Sequence, residues 1–567
     1  MPAADGTPLL AHSLVIGVSG HRKLHGDDVP ALQARVRAFL VDLQAQQPDL
    51  PLALLSSLAE GSDQLVAQVA LDLGLRVVAP LPLPMDLYRA DFEIEALQAL
   101  EQLLPRVEVL SLPLVSGTSR EAVSLRGPAR DQQYAQAGIF VSDHCHVLLA
   151  LWDGQPSDQL GGTAQVVEFH LHGVMRGALD RQPAAATLLG PDQENIVHHL
   201  PAARDGDAPP ADPRGRWLTE DGACAPDAPP PAGFARMFER QAGFVHDAGK
   251  YADAIDEARQ DDSEDAARCP VWRTFGTADW LARAYQQRVA RVLRTTYVLV
   301  ALMGFAFFTY TDVISDDLVI YAFLVLFAIG SGLALLANRR QWQRKYLDYR
   351  TLAEGLRVQS YWRRAGIVVP GSRTTAHENF LQKQDTELGW IRNVMRGASV
   401  DGMRVATAAD EAQVDAVVRE WIGTPDGDGQ LAYYGSASRR RARLHHRAER
   451  IARICIGLGV ASAALLALFA HRLDDQVKLV LVSGMGILSV AAAVQEAYMH
   501  KKADKELIRQ YGFMQRIFAG AKRLLDGLGD DPAERRRVLV ALGEAALTEH
   551  AEWSLMHRER PLPTSRI

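Results

Sequence analysis

The chain has 567 residues, of which 48% are apolar and 23% are charged, and its formal net charge is −7. This composition excludes a disordered or fibrous protein and is typical of a chain with several folded domains. The acidic balance argues against nucleic acid as a partner, because nucleic-acid-binding surfaces concentrate Lys and Arg. The cysteines at 145, 224, 269 and 455 show neither disulfide nor metal-binding spacing, so we expect a reducing compartment and no metal site. No basic segment with a following apolar run precedes Leu14, so we expect no secretory signal.

The first 200 residues alternate short apolar runs with stretches of helical periodicity. The runs are Leu14–Val18, Leu52–Ser57, Arg76–Leu81, Val107–Leu112 and Cys145–Trp152, and Asn195–Leu200 is a candidate for a last strand. This pattern predicts an α/β domain with a doubly wound parallel sheet. Ligands of such sheets bind at the carboxyl ends of the strands, so the turns after the strands should meet in one site.

Small and polar residues occupy these predicted turns. The candidate ligand-binding residues are Ser19, Gly20, His21 and Arg22 after the first strand, Glu60, Gly61, Ser62 and Asp63 after the second, Pro82 after the third, Asp153 after Trp152, and Gly161, Gly162 and Thr163 at the start of a predicted helix over 163–175. Backbone N–H groups at such turns and helix starts can bind a phosphate, and a cation such as Arg22 adds charge-assisted hydrogen bonds. Each turn taken singly is equally compatible with an ordinary turn or a helix cap.

The order of these segments resembles a known family. The chain resembles the SLOG family in five segments, which are Ser19–Arg22, Leu58–Asp63, Val77–Pro82, Leu149–Gly154 and Gly161–Thr163. This Rossmann-like family includes nucleotide-ligand sensors, the cytokinin-riboside phosphoribohydrolases and the N-terminal region of TRPM channels. The resemblance covers residues 10–205 and implies a pocket for a nucleotide or nucleotide-derived ligand.

The enzymes of that family carry a Pro-Gly-Gly-x-Gly-Thr-x-x-Glu motif at their phosphate-binding helix. This chain has Leu160 through Glu168 at the corresponding place and lacks both the proline and the third glycine. Hydrolysis of an N-glycosidic bond needs a carboxylate near the reacting carbon, which makes Glu60 and Glu168 weak catalytic candidates. A membrane-anchored nucleotide or nucleoside-phosphate hydrolase therefore stays open as an alternative function.

After a Pro- and Ala-rich segment at 206–232, which we expect to be a linker, the chain contains four long uncharged segments. Their predicted spans are about 295–311, 318–337, 454–470 and 479–495, close to the length that crosses a bilayer. Two buried helical hairpins in a soluble domain are the alternative interpretation. Glycines at 457, 459, 484 and 486 predict close approach between helices in the second pair.

An excess of positive charge flanks the spans on one side only, because in the connection His471–Lys478 two acids balance Arg472 and Lys478. Arginines and lysines flank the outer ends of both span pairs at 288–294, 339–345, 439–453 and 501–505, whereas the connection Asp312–Asp317 is acidic. The positive-inside rule therefore predicts a multi-pass protein of the bacterial inner (plasma) membrane with both termini in the cytoplasm.

The membrane half resembles the SLATT family of two-span effector domains, which are found beside SLOG sensors in bacterial conflict systems. The resemblance lies in Ala278–Gln286, Gln382–Arg392, Glu544–Trp553 and His557–Pro561, and it implies two units at 233–370 and 371–567 that form a membrane pore. We interpret Trp390, Trp553 and His557–Arg560 as helix-packing and salt-bridge residues rather than catalytic ones.

These observations lead to one functional hypothesis and its competitors. We expect a sensor of a nucleotide-derived signal that is coupled to a homo-oligomeric effector, which forms or gates a pore in the lipid bilayer, in bacterial defence or conflict. The competing functions are the hydrolase described above and a regulated ion channel outside defence. The uncharged spans give no indication of ion selectivity.

Overall fold

A computed structural model describes residues 9–178, 195–259, 269–312, 316–367, 386–403, 411–469, 471–502, 504–529 and 531–558. The chain divides into two compact units, each made of two segments. The first unit is Met1–Trp280 with Thr351–Ala408, and the second is Leu281–Arg350 with Ala409–Ile567.

An eight-stranded sheet forms the centre of the first unit. Its strands are β1 (Leu14–Gly20), β2 (Leu52–Leu55), β3 (Arg76–Leu81), β4 (Glu108–Ser111), β5 (Val147–Trp152), β6 (Val197–Pro201), β7 (Arg216–Thr219) and β8 (Gly222–Ala223), in the order β4-β3-β2-β1-β5-β6-β7-β8. The pairs from β4 to β6 are parallel, as predicted, and every residue of β5 is buried. Continuous apolar runs such as β5 are typical of strands covered on both faces.

The sheet extends into the segment that the composition predicted to be a linker. Strand β7 pairs antiparallel with β6 and with β8, so the sheet is mixed rather than wholly parallel. Trp217 of β7 is buried, with its ring against His198 of β6 and Phe39. One buried tryptophan thus anchors an otherwise Pro- and Ala-rich segment, and the linker prediction is wrong for residues 216–223.

Helices cover the sheet of the first unit. They are α1 (Val29–Gln46), α2 (Ser62–Asp72), α3 (Met85–Arg89), α4 (Ile94–Leu103), α5 (Arg120–Ser124), α6 (Pro128–His144), α7 (Thr163–His172), α8 (Ala232–Lys250) and α9 (Ala252–Ala258). The sheet's carboxyl edge faces the N-termini of α2 and α7, which places those helix starts around the candidate site.

The helix α13 (Gly389–Met403) is built into the core of the first unit, although it lies in the chain segment that we assigned to the second membrane unit. Arg396 donates to the carbonyl oxygen of Cys145 at 3.2 Å, and Asp401 accepts from Arg76 at 2.8 Å and from the Ala11 amide at 3.3 Å. Both side chains are almost fully buried. These contacts fix α13 to the N-terminal α/β domain.

The second unit is helical. Its elements are α10 (Pro270–Asp312), α11 (Asp317–Arg339), α12 (Trp342–Arg364), α14 (Glu411–Val417), α15 (Gln430–Phe469), α16 (Asp475–Lys502), α17 (Asp504–Gly527) and α18 (Pro532–Arg558), of which α10 and α12 begin in one unit and end in the other. Four long helices, α10, α11, α15 and the helix that starts at Asp475, are apolar and long enough to cross a membrane, with mean hydropathy from 1.6 to 2.5. They contain the four predicted spans within the described residues.

Close backbone packing joins α10 to α16 in the second unit. A Cβ atom on Gly304 would lie 2.7 Å from Val490, and one on Gly486 would lie 2.6 Å from Phe308. Gly486 thus permits close helix approach, but of α16 to α10 of the first pair and not between the two helices of the second pair, where we predicted it. The glycines at 457, 459 and 484 have no described atom near the position of a Cβ, so the prediction is wrong for these three within the chain.

The tryptophans singled out in the sequence have packing roles. Trp390 is buried with its ring against Phe244 in the first unit. Trp553 stacks on His550 with ring centroids 4.9 Å apart and contacts Tyr346 in the second unit. The accompanying salt bridge joins Arg558 to the buried Asp348 at 2.5 Å, whereas residues 559–561 lie outside the described part of the chain.

Candidate functional site

A cavity of about 710 Å³ opens at the carboxyl ends of β1, β2 and β5, next to the start of α7. Eight of the predicted ligand-binding residues line it: Ser19, Gly20, His21, Arg22, Asp63, Gly161, Gly162 and Thr163. The structure therefore brings the turns after three strands and one helix start together around a single cavity. The other candidates, Glu60, Gly61, Ser62, Pro82, Asp153 and Glu168, are not among the lining residues.

Ser62 and Gly61 shape the turn that carries Arg22 instead of lining the cavity. The Ser62 hydroxyl and backbone N–H both donate to the carbonyl oxygen of His21, at 2.9 and 3.1 Å. Gly61 has φ +83°, and a Cβ atom there would lie 2.1 Å from the carbonyl oxygen of Arg22. Only glycine fits this close approach, so the start of α2 fixes the backbone of the β1 turn.

His21 links the turn after β1 to the turn after β5. Its Nε2 atom accepts a hydrogen bond from the Asp153 backbone N–H at 3.0 Å. Burial lowers the pKa of His21, and the nearby Asp153 carboxylate only partly offsets this effect. The ring is therefore neutral at pH 7 and positions the two turns.

Arg22 is an exposed cation at the cavity with no ion pair to any residue that the structure describes. Its guanidinium lies over the ring of Tyr134, 4.8 Å from the centroid, in a cation–π arrangement. By contrast, Lys23 is paired with Glu93 at 2.8 Å. Arg126, at the approach to α6, is the other exposed arginine in the lining without a described ion pair. These two guanidiniums are available to an anionic ligand.

Arg130 also lines the cavity, but its side chain is bound to other residues of the protein. It is buried and pairs with Asp91 at 2.7 Å, and it donates to the carbonyl oxygen of Leu87 at 2.9 Å. Tyr134 also donates to Asp91. Asp91 thus has its charge neutralised within the wall, which leaves less negative charge to repel an anion.

Asp63 is the buried carboxyl group of the cavity. It accepts a hydrogen bond from the Ser56 hydroxyl at 3.2 Å. Burial raises its pKa to about 7, against the opposing effects of the Ser56 hydrogen bond and of the Arg22 charge. The side chain therefore changes charge near neutral pH, so the cavity is less negative below pH 7 than above it.

The start of α7 supplies backbone donors. Gly161 has φ +72°, and a Cβ atom there would lie 2.9 Å from the Ala135 backbone nitrogen of α6, which holds the turn tightly against that helix. No side chain of a described residue caps α7, and Gly162, Thr163 and Ala164 all line the cavity. The first-turn amides of a helix have no acceptor within it, so they favour an anion here.

Sequence reasoning missed the wall that α6 and the segment before it contribute. Arg126, Arg130 and Tyr134 line the cavity from this side, and Tyr88 and Asp91 line it from α3 and the residues after it. None of the five lies in the turn directly after a strand. The contribution of α6 to the lining could have been predicted from Gly127-Pro128, which is a typical helix start with arginines on either side. His144, Cys145 and His146, which are adjacent in the sequence, are all buried.

Over the part of the chain that the structure describes, no group of three or more His, Cys, Asp or Glu side chains has a metal-binding arrangement. The chain matches no protein-family model, no curated protein and no solved structure. Its function must therefore be argued from the site itself.

Proposed function

We propose that this protein is a ligand-controlled membrane effector. In this proposal a phosphate-containing, nucleotide-type ligand binds the cavity of the α/β domain, which is of the SLOG type. Binding then reorganises a homo-oligomer whose four apolar helices, of the SLATT type, form or gate a pore in the bacterial inner membrane during defence. The observation that carries the proposal is the pairing, in one chain, of a cavity with unpaired guanidiniums and four helices of membrane-spanning length.

The chemistry of the cavity supports an anionic ligand of nucleotide size. Arg22 and Arg126 carry charges that no described carboxylate neutralises, and the start of α7 offers backbone donors beside them. The aromatic ring of Tyr134 adds a flat apolar surface under Arg22. A cavity of about 710 Å³ falls in the range of small-molecule and cofactor sites.

Helix continuity supports a coupling role. Two helices continue without interruption from one unit into the other. Helix α10 begins in the first unit and carries the first apolar segment in the second, and α12 begins in the second unit, after the second apolar segment, and ends in the first. A ligand that prefers one arrangement of the α/β domain can bias such helices, provided that its affinity differs between the arrangements. Activation then requires a ligand that favours the open arrangement.

The hydrolase alternative receives less support from the geometry. Glu60 and Glu168 do not line the cavity, and Glu168 is exposed on α7. Of the four aspartates in the lining, at 63, 91, 131 and 205, Asp63 is the buried one, which makes it the residue to test if nucleotide turnover is found. Chromatography of nucleotides incubated with the protein separates the alternatives, because a sensor binds its ligand without forming product.

The experiment that tests the proposal is dye leakage from liposomes that contain the purified full-length protein. We expect at least one compound from a panel of mono-, di- and cyclic nucleotides to increase leakage, and Arg22→Ala to abolish or weaken that response. Arg89→Ala is a matched control, since Arg89 is an exposed arginine paired with Glu101 outside the cavity lining. Leakage that no nucleotide changes, or that Arg89→Ala alters as much as Arg22→Ala, contradicts the proposal.

A further inference from the structure

Six exposed arginines lie next to the apolar segments of the second unit at the end away from the hairpin connections. They are Arg291 and Arg294 of α10, Arg339 and Arg340 at the end of α11, and Arg450 and Arg453 of α15, and we call them the arginine belt. Each lies within about two turns of an uncharged stretch. The inference below rests on the membrane location in the proposed function and not on pore opening.

Contacts within the second unit place these arginines at one level of the helix bundle. Helices α10 and α16 run antiparallel, because Tyr297 donates to the carbonyl oxygen of Ala497 at 3.1 Å while Gly304 faces Val490. Leu299 of α10 lies 3.6 Å from the Cβ position of Gly330 in α11. The start of the α10 span therefore lies beside the end of α11 and the end of α16.

An ion pair brings α15 to the same level. Lys505, just after α16, contacts Glu449 of α15 at 3.3 Å. Arg450 and Arg453 follow Glu449 directly and precede the apolar stretch that begins at Ile454. The belt therefore extends over three of the four helices at this end of the bundle.

The belt has no anionic partner among the residues that the structure describes. The Nε atoms of Arg291, Arg294 and Arg453 donate only to carbonyl oxygens four residues earlier in their own helices, at 3.2–3.4 Å. No described carboxylate lies within salt-bridge distance of any of the six guanidiniums. Glu449 is occupied by Lys505 and His445.

We propose that the arginine belt binds the phosphate headgroups of anionic phospholipids. A guanidinium forms two parallel hydrogen bonds to a phosphate, and its position at the edge of an apolar segment is the position of the headgroup layer. The other end of the bundle has no excess of positive charge. Asp316 and Asp317 make the first hairpin connection acidic, and in the second connection Arg472 and Lys478 balance Asp474 and Asp475. Charge complementarity therefore selects anionic lipid at one end of the bundle only.

Helix α15 offers a matched control for this proposal. Arg439, Arg440 and Arg443 are exposed on the same helix, but at 1.5 Å per residue they lie about 15–21 Å farther along it than Arg453. That distance puts them beyond the headgroup layer of a bilayer in which the apolar stretch is embedded. Their replacement removes nearly the same charge without touching the belt.

The test measures the association of spin-labelled phosphatidylglycerol and spin-labelled phosphatidylcholine with the full-length protein in phosphatidylcholine vesicles. We expect phosphatidylglycerol to associate about threefold to tenfold more strongly at low salt, and this preference to fall toward one in 0.5 M NaCl. The quadruple variant Arg339→Gln, Arg340→Gln, Arg450→Gln, Arg453→Gln should lose most of the preference. The control Arg439→Gln, Arg440→Gln, Arg443→Gln should keep it.

If phosphatidylglycerol and phosphatidylcholine associate equally strongly with the wild-type protein, the proposal is overturned. It is also overturned if the control variant loses the phosphatidylglycerol preference as much as the quadruple variant does. A preference that does not respond to salt overturns it too, and this readout needs no variant, so misfolding of the quadruple variant does not block the test. Failure of the protein to float with the vesicles contradicts the membrane location of the proposed function, which is a separate outcome from floating without lipid preference.

Discussion

Replacement of Arg22 by alanine should weaken ligand binding and leave the fold intact. The side chain is exposed, and its described interaction is the cation–π contact with Tyr134, which contributes about 0.5–1 kcal/mol at such a site. A charge-assisted hydrogen bond to a ligand contributes about 1.5–3 kcal/mol. Since about 1.4 kcal/mol corresponds to a tenfold change in affinity, the dissociation constant should rise about 10- to 150-fold.

Calorimetric titration of the detergent-solubilised protein measures this change, with the nucleotide that gives the strongest leakage as the ligand. The free energy of unfolding of the variant, from denaturant titration, should stay within about 1 kcal/mol of the wild-type value, because no buried group is altered. Arg89→Ala should leave the dissociation constant unchanged. A wild-type affinity in Arg22→Ala, or an equal loss in Arg89→Ala, would refute the assignment of the cavity as the binding site.

Three further predictions follow from the structure. The pKa of Asp63 near 7 predicts that an anionic ligand binds more weakly at pH 8 than at pH 6, because the carboxyl ionises over that interval, and calorimetry should show this dependence flattened in Asp63→Asn. Burial also holds the pKa of three neutral histidines far below 6.5, at about 4 for His144 and about 3 for His146 and His170. Because these folded-state pKa values lie below the unfolded one, their contribution to stability is complete above pH 6.5. This contribution should fall by about 1.4 kcal/mol per histidine for each pH unit below 6.5. We therefore expect a lower denaturant midpoint at pH 5.5 than at pH 7, and an unchanged midpoint would contradict the prediction. Finally, Gly486→Leu should lower the thermal stability of the protein in detergent, because its Cβ meets Phe308, whereas Gly484→Leu should not, and equal effects would argue against the α10–α16 contact.

The sequence predicted the parallel strands and the turns that meet at the cavity because both depend on local patterns. The apolar runs of β1 to β3, β5 and β6 are buried, and the carboxyl-edge rule brought Arg22, Asp63 and Gly162 to one cavity although they are far apart in the chain. The four long apolar helices were predictable for the same reason, since charge-free length is visible without any tertiary information.

The features that the sequence did not reveal depend on pairings between distant segments. Nothing local marks Arg396 and Asp401 as buried partners of Cys145 and Arg76, so the place of α13 in the α/β domain could not be predicted. The role of Ser62 likewise depends on a carbonyl group 41 positions earlier in the chain. Turns that line the cavity and turns that only hold a lining turn in place contain the same residue types. Tertiary contacts alone distinguish the two kinds of turn.

The most direct test of the account is a joint titration of binding and leakage with the same nucleotide in the same liposomes. If occupancy of the cavity opens the membrane region, the half-maximal concentration for leakage should follow the dissociation constant, and Arg22→Ala should shift both by the same factor. Leakage that keeps its wild-type concentration dependence in Arg22→Ala, while binding is weakened, would show that the cavity does not control the membrane helices.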